Sequence, residues 1–267
     1  MKPFAILVSV VTLCAAIALP VQAAERLNDK QIKTAVENLR RSFDTWKDAL
    51  EKRNLDDAVI KNASGTIEVK KFLKDFKEEI DLLKDRLKPD YAANPEVTTV
   101  LRRASDVERR AQQPGASTVA EWKEMSAQFA ALAAAYGTSF PMPSPDAVAM
   151  RWADEEVAAK LADIEHQSEI VANAADKSLK QAKATSADRD NVKQALAALE
   201  NAAKQTRTML NADTATVAQV EALFRSIKAA REALGSVTMS GPGKTAWEVI
   251  GNDGTLIAKA FGLNQMT

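Results

Sequence analysis

The sequence predicts an all-α fold class, arranged as two tandem four-helix up-and-down bundle units that arose by internal duplication. Alanine, lysine, glutamate and leucine dominate the 267 residues, glycine is scarce at 9 residues, and the common residues are strong helix formers. Apolar residues recur at alternating steps of four and three, which is typical of a helix packed in a bundle. The same run of helices returns after 123 to 125 residues. We recognise no alternating β-branched run that would predict a strand.

Residues 1–23 are predicted to be a signal peptide. Lys2 gives a positive start, an apolar run extends from Phe4 to about Ala18, and small residues flank the expected cleavage point after Ala23. We therefore expect a periplasmic or secreted protein with no transmembrane span after cleavage; an uncleaved anchor is the alternative. Cys14, the single cysteine, lies in this segment, so we expect no disulfide and no thiolate metal site in the mature chain.

The first predicted unit, residues 24–136, begins with a capping box formed by Asn28 and Gln31, and a second box is formed by Thr118 and Glu121. Asn94 and Pro95 mark the start of its third helix. The predicted core positions of its four helices are Ile32, Val36, Leu39, Phe43, Trp46 and Leu50; Val69, Leu73, Phe76, Ile80, Leu83 and Leu87; Val97, Leu101, Ala104 and Val107; Trp122, Met125, Phe129, Leu132 and Tyr136.

A proline-rich linker, residues 137–150, separates this unit from the second, residues 151–267. Gly137 and Gly262 are predicted to stop the two fourth helices. The matching core positions of the second unit are Val157, Leu161, Ile164, Ser168, Val171 and Ala175; Val192, Leu196, Leu199, Ala203, Thr206 and Leu210; Val220, Phe224, Ile227 and Ala230; Trp247, Ile250, Gly254, Ile257 and Phe261. Whether the units form separate bundles or one continuous array stays open.

The stretch SGPGKTAWE at 240–248 contains the ending of a phosphate-binding loop. Such a loop needs a glycine where Thr238 stands, and it needs a preceding strand. We therefore expect no nucleotide site and interpret Thr245 as a helix cap with Glu248 as its capping-box partner. The segment IGNDGTLI at 250–257 is expected to weaken or kink the last helix because it contains two glycines.

Four stretches of the first unit resemble a family of exported bacterial helical domains without a settled function. They are LNDKQIKTAVENLRRSFD (27–44), FLKDFKEEIDLLKDRL (72–87), VLRRASDVERRAQ (100–112) and AEWKEMSAQFAALAAAYGTSF (120–140). The resemblance covers residues 27–140, and the second unit keeps little beyond the spacing and its tryptophan. It implies a helical, exported protein and supplies no catalytic residue.

Catalytic and metal chemistry are not expected. His166 is the single histidine, and helical geometry predicts that it faces solvent. Balanced charge, 36 Lys+Arg against 36 Asp+Glu, indicates no nucleic-acid partner. The arginines at 102, 103, 109 and 110 are interpreted as salt-bridged surface, with a site for an anionic partner as the alternative hypothesis.

The two units differ in core volume. Six large core residues of the first unit correspond to smaller ones in the second, and a bundle that keeps its spacing would then contain voids. Either the helices approach one another, or a partner or small ligand fills the space. The candidate ligand cavity or groove comprises Ser168, Val171, Ala175, Ala203, Thr206 and Gly254.

The sequence thus predicts an exported, non-catalytic protein that acts as an interaction or structural module in the cell envelope. The alternative is a binding protein for a small apolar or amphipathic ligand, with its site in the core of the second unit. Neither hypothesis requires a cofactor, and neither the partner nor the ligand is identified by the residues.

Overall fold

The computed structural model describes residues 26–62, 65–111, 120–235, 237–239 and 241–263. The predicted signal peptide and Thr118 of the second capping box lie outside these ranges. The all-helical fold class is confirmed within the described residues. The elements in chain order are α1 (Asp29–Lys52), β1 (Val59–Asn62), β2 (Gly65–Glu68), α2 (Val69–Arg86), α3 (Asn94–Ala111), α4 (Ala120–Ala135), α5 (Asp154–Gln181), α6 (Ser186–Asn211), α7 (Val217–Leu234) and α8 (Pro242–Ala260).

One small feature was not predicted, a β-hairpin between α1 and α2. Its strands are antiparallel, with Val59 opposite Glu68 and Asn62 opposite Gly65. The segment is rich in β-branched residues, which favour extended backbone. Each strand has only four residues, too few for the alternation to stand out in the sequence.

Helices α1 to α4, the first group, enclose one hydrophobic core. The predicted row on α1 is buried, and its capping box is present, with Gln31 N donating to Asn28 Oδ1 over 2.8 Å. Edge-on and stacked rings fill the centre: the centroid of Phe76 lies 5.5 Å from that of Phe43 and 5.9 Å from that of Phe129. The core prediction for this group is confirmed for its central positions, while Val69, Leu87 and Val107 are half-buried at its margin.

Helices α5 to α8, the second group, enclose a separate cluster of buried apolar side chains. Helix α5 packs along both α6 and α8. The predicted rows are buried here too, except that Trp247 is only partly buried whereas Trp122 in the first group is buried. Leucine, valine and alanine supply most of this interior, and small residues let its helices approach closely.

The predicted linker is a packed loop whose ends meet. Met150 N donates to Tyr136 O over 2.9 Å, so residues 137–149, here called the Ω-loop, leave and return at the same point. Met142 N donates to Ser105 Oγ at 2.8 Å and Ala149 N to Thr98 Oγ1 at 2.9 Å, which fixes the loop on α3. Met142 and Ala149 are buried in the first core. The proline-rich segment is therefore part of the first group's packing.

The start of α8 corrects one prediction. The helix begins at Pro242, with Gly241 as N-cap at a φ of 56°, so Thr245 lies inside the first turn and does not cap the helix. The φ angle of proline is fixed near the helical value, which favours proline at the first helical position. The helix therefore begins at Pro242, three residues before the threonine. Helix α8 also continues through residues 250–257. Gly137 and Gly262, with φ of 65° and 66°, end the fourth helices as predicted.

Candidate functional site

The six residues of the predicted cavity lie in the interior of the second group, on α5, α6 and α8. Ser168 Oγ donates to Ile164 O over 2.7 Å, and Thr206 Oγ1 donates to Ala202 O over 2.8 Å. Both hydroxyl protons are thus used within their own helices.

Close helix packing occupies the space beside two glycines of α8. A Cβ atom on Gly254 would lie 3.2 Å from Ile227 Cδ1, and one on Gly243 would lie 2.4 Å from Ala174 Cβ. At these two points α8 approaches its neighbours as closely as a side-chain-free residue allows.

A network of four charged side chains joins the two groups. It consists of Arg26, Asp29, Arg151 and Asp154, here called the clasp. Asp29 N donates to Asp154 Oδ2 over 2.7 Å, and Asp154 N donates to Asp29 Oδ2 over 2.8 Å. Each aspartate is the first residue of its helix, so each carboxylate receives an N–H that no helical carbonyl can satisfy. The two helix starts therefore satisfy one another.

The arginines of the clasp repeat this reciprocity. Arg26 binds the Asp154 carboxylate and donates to Trp152 O over 2.6 Å. Arg151 binds the Asp29 carboxylate and donates to Leu27 O over 2.8 Å. The carboxylate and carbonyl contacts of Arg26 are thus matched by those of Arg151, while Arg151 has additional bonds, since its backbone N–H and C=O are both held by the side-chain amide of Asn94.

Both guanidinium groups are buried, with 6 % of the Arg26 side chain and 3 % of the Arg151 side chain exposed. Burial, together with the neighbouring charge of Arg151, lowers the pKa of Arg26, and the carboxylate of Asp154 opposes this effect. Arg26 also lies over the ring of Phe261, with 5.2 Å from its Cζ to the ring centroid. Two carboxylates balance two guanidiniums, as buried charges require.

The neighbourhood of the clasp differs on its two sides. On one side, Glu155 N donates to Pro89 O over 3.3 Å, which ties the start of α5 to the turn between α2 and α3. On the other side, a cleft of about 490 Å³ lies between α1 and the turn after α6. Its lining residues are Leu27, Asn28, Lys30, Gln31, Thr34, Ala35, Asn38 and Asp213.

A further ion pair, between a buried aspartate and a partly exposed lysine, lies within the second group. Asp253 on α8 is 5 % exposed, and its Oδ1 lies 3.1 Å from Lys160 Nζ on α5. Its Oδ2 has no hydrogen-bond partner within the described part of the chain. This pair ties α8 to α5 at the point where the sequence carries GNDG.

Three of the four arginines bind the protein itself: Arg103 and Arg109 form ion pairs, as interpreted from the sequence, whereas Arg102 binds a backbone carbonyl. Arg103 forms a bidentate salt bridge with Glu79, in which its Nε lies 2.6 Å from Glu79 Oε2. Arg102 donates to Ala147 O over 3.1 Å, and Arg109 donates to Met142 O over 2.8 Å. Two of the three therefore hold the Ω-loop on α3.

His166 is exposed on α5, as predicted. Within the residues that the structure describes, no three His, Cys, Asp or Glu side chains lie together as they would around a metal ion. Nor does any helix in the described ranges have the length and apolar character to cross a membrane.

The clasp escaped sequence reasoning although a signal for it exists. RLND at 26–29 and RWAD at 151–154 share the arginine and the aspartate and stand 125 residues apart, the same offset as the first core rows. The apolar rows begin at Ile32 and Val157, so apolar periodicity carries no information about these charged residues. Arg26 to Asp29 and Arg151 to Asp154 are also too short as motifs to be distinctive on their own.

Comparison with protein-family models, with curated proteins and with solved structures found no match to this chain.

Proposed function

We propose that the chain is an exported, non-catalytic helical protein, built from two duplicated four-helix units, that acts as an interaction or structural module in the cell envelope. The observation that carries this proposal is the clasp. Its two buried guanidinium groups and two partly buried carboxylates pair between the two groups and fix them relative to one another, and such a fixed arrangement suits a protein that presents a surface.

Corresponding contacts support the duplication. The residues that form the clasp are related by the offset of 125 in both directions, and so are the N-terminal capping pairs of α1 and α5. In the first, Asn28 N donates to Gln31 Oε1; in the second, Ala153 N donates to Glu156 Oε2 over 2.7 Å. Chance would have to reproduce side-chain roles as well as apolar spacing.

Exposed apolar side chains next to the clasp support a role in interaction. Val148 is 60 % exposed and Met150 is 62 % exposed, while Ala149 between them is buried. Their backbone is held on the first group through Thr98 and Tyr136, so both side chains are presented from a fixed segment. Fixed exposed apolar groups bind at low entropic cost.

Site-specific photo-crosslinking tests the proposal in the cells that export the protein. A photoreactive amino acid replaces Met150 in one variant and the exposed Gln194 of α6 in a control. We expect a discrete crosslinked product at Met150 in the envelope fraction and none at Gln194. Retention of the protein in the cytoplasm, or the absence of a product at Met150 and at Val148, would contradict it.

A second proposal is the binding of a small amphipathic ligand, and the cleft beside α1 favours it, since about 490 Å³ is within the usual size range of ligand sites. The fluorescence of anilinonaphthalene sulfonate gives a direct test. Ala35→Trp fills the cleft, whereas Ser168→Val alters the interior of the second group. Loss of probe binding in the first variant alone assigns the site to the cleft, and loss in the second alone assigns it to the interior.

A further inference from the structure

We propose that the clasp is an autonomous docking interface whose partner is another R-x-x-D helix start, so that the second group of one chain can dock on the first group of another copy. The inference rests on the contacts of the clasp and does not depend on the proposed function.

The first argument is self-complementarity. Each side offers the same three elements: an aspartate at the first position of a helix, the N–H of that aspartate, and an arginine three residues earlier. Each aspartate accepts a hydrogen bond from the backbone N–H of the other, and each arginine binds the carboxylate of the opposite side. Equivalent groups from two different segments therefore face one another, as identical groups do across the two-fold interfaces that join copies of a protein.

The second argument is that the peptide bonds at the tip of the Ω-loop are not needed for the clasp, because the segment after the tip is held on the first group by its own contacts, among them two hydrogen bonds between Asn94 and the backbone of Arg151. The Ω-loop begins and ends at one point, where Met150 N meets Tyr136 O. Its tip, residues 143–146, is exposed and lies in the chain between the buried anchors Met142 and Ala149. A break at the tip would leave Arg151 and Asp154 on one piece, Arg26 and Asp29 on the other, and every contact of the clasp in place.

The third argument concerns the choice of partner. The clasp buries two guanidinium groups, and a partner that lacked matching carboxylates would leave them buried without a counterion. Arg26 additionally requires the carbonyl of residue 152 and the ring of Phe261, which the second group supplies. A second copy of this chain provides all of these groups, which is why we commit to it.

Nicking the folded protein tests the inference. A protease site is inserted between Ser144 and Pro145 of the full chain, and the folded protein is cleaved there. We expect the two pieces to elute together on size exclusion. When nicked protein is mixed with a nicked copy carrying an affinity tag on its first piece, the tag should recover untagged second pieces from the other copy.

Clasp variants decide whether these four residues are responsible. In the nicked protein, Asp29→Ala with Asp154→Ala should weaken association by about 100-fold or more, since each change strands a buried arginine. The double variant Asp29→Asn with Asp154→Asn retains an oxygen acceptor at each position, so its association should be weaker than that of the wild type and stronger than that of the alanine variant. Circular dichroism before cleavage verifies that each variant is folded. Separation of the wild-type pieces, absence of exchange, or unchanged association of the alanine variant would each overturn the proposal.

Discussion

At the scale of single residues, the two aspartates of the clasp each do two things. Each accepts an N–H from the other's helix start, and each neutralises a buried arginine. A negative charge at a helix start is favourable because the first N–H groups are unsatisfied. Removal of one carboxylate therefore leaves a buried guanidinium without its counterion and the first N–H of the opposite helix without an acceptor.

Asp154→Ala should lower the free energy of unfolding by about 3 kcal/mol, the usual result of breaking a buried ion pair from one side. Urea denaturation followed by circular dichroism measures it. Asp163→Ala is the matched control on the same helix, since that side chain is 51 % exposed and lies 3.8 Å from Lys160. It should change stability by less than about 1 kcal/mol. Equal effects of the two substitutions would mean that the clasp contributes no more than a surface pair.

Tyr136 gives the chain a pH dependence in the alkaline range. Its hydroxyl is buried and donates to Ala92 O over 2.6 Å, and burial raises the pKa of the phenol above its ordinary value of about 10. The folded state therefore holds the proton more tightly than the unfolded state. Stability from this group is complete below about pH 10 and is lost as the pH rises above that value, by at most about 1.4 kcal/mol per pH unit.

Tyr136→Phe should remove that part of the alkaline slope, and the difference in unfolding free energy between variant and wild type at pH 8 and pH 11 measures it. Absorbance at 295 nm provides the second measurement. The chain has 2 tyrosines, and Tyr91 is the exposed one. We expect Tyr91 to ionise in the folded protein and Tyr136 to ionise only as the protein unfolds. Reversible ionisation of both in the folded state would contradict this assignment.

At the scale of elements, the second group keeps its helices together by close approach. In the first group, rings of phenylalanine and tryptophan separate the helices, and the ring centroids of Trp46 and Trp122 lie 4.9 Å apart. Position 43 of α1 is a phenylalanine, whereas the matching position of α5 is Ser168. The smaller residues are compatible with a filled interior because α8 approaches α5 and α7 at Gly243 and Gly254.

Two glycine substitutions on α8 should have opposite effects. Gly243→Ala would place a methyl group 2.4 Å from Ala174 Cβ, so we expect destabilisation by about 1 to 3 kcal/mol. Gly251→Ala meets no atom within 4 Å and lies inside the helix, so we expect stabilisation by up to about 1 kcal/mol. Thermal or urea unfolding measures both. A stabilising Gly243→Ala would show that α8 and α5 are not in close contact at this point.

The Ω-loop shows how an element predicted from composition alone can have another role. Its prolines indicate a linker, and its anchors on α3 are a serine, a threonine and arginines that look like ordinary surface residues in the sequence. Ser105 accepts the N–H of Met142 and donates to Leu101 O. A hydroxyl that serves both a helix carbonyl and a distant N–H can be recognised only when the loop is in place.

At the scale of the whole molecule, two separate cores are joined through the clasp. We expect the wild-type protein to unfold in one transition, because unfolding of either group would expose the charges of both. With Asp29→Ala and Asp154→Ala, the groups should unfold separately, and the second group, which lacks the aromatic cluster, should unfold at the lower urea concentration.

Tryptophan fluorescence can resolve the two groups. Trp46 and Trp122 lie in the first group, and Trp152 and Trp247 contact the core of the second. A background with Trp152→Phe and Trp247→Phe reports only the first group, while circular dichroism reports both. Coincident curves for the clasp variant by the two methods would contradict the proposed coupling.

The order of residues along the chain was enough to predict the helical class, most of the core rows and the ends of the fourth helices. These depend on local propensity and on a periodicity that one helix imposes on its own residues. It also determined the exposure of His166, for the same reason. The hairpin could not be predicted from the sequence, because eight strand residues are too few to establish an alternating pattern.

The roles of the polar residues can be assigned only once the packing of the helices is known. The clasp joins residues that are 122 to 128 positions apart in the sequence. No local sequence pattern predicts that the starts of two such distant helices will be in contact. The same holds for the Ω-loop on α3 and for the approach of α8 to α5. The apolar face of a helix follows from the spacing of residues within that helix. The partner of a buried charge depends instead on how different helices pack, and that packing exists only in the folded chain.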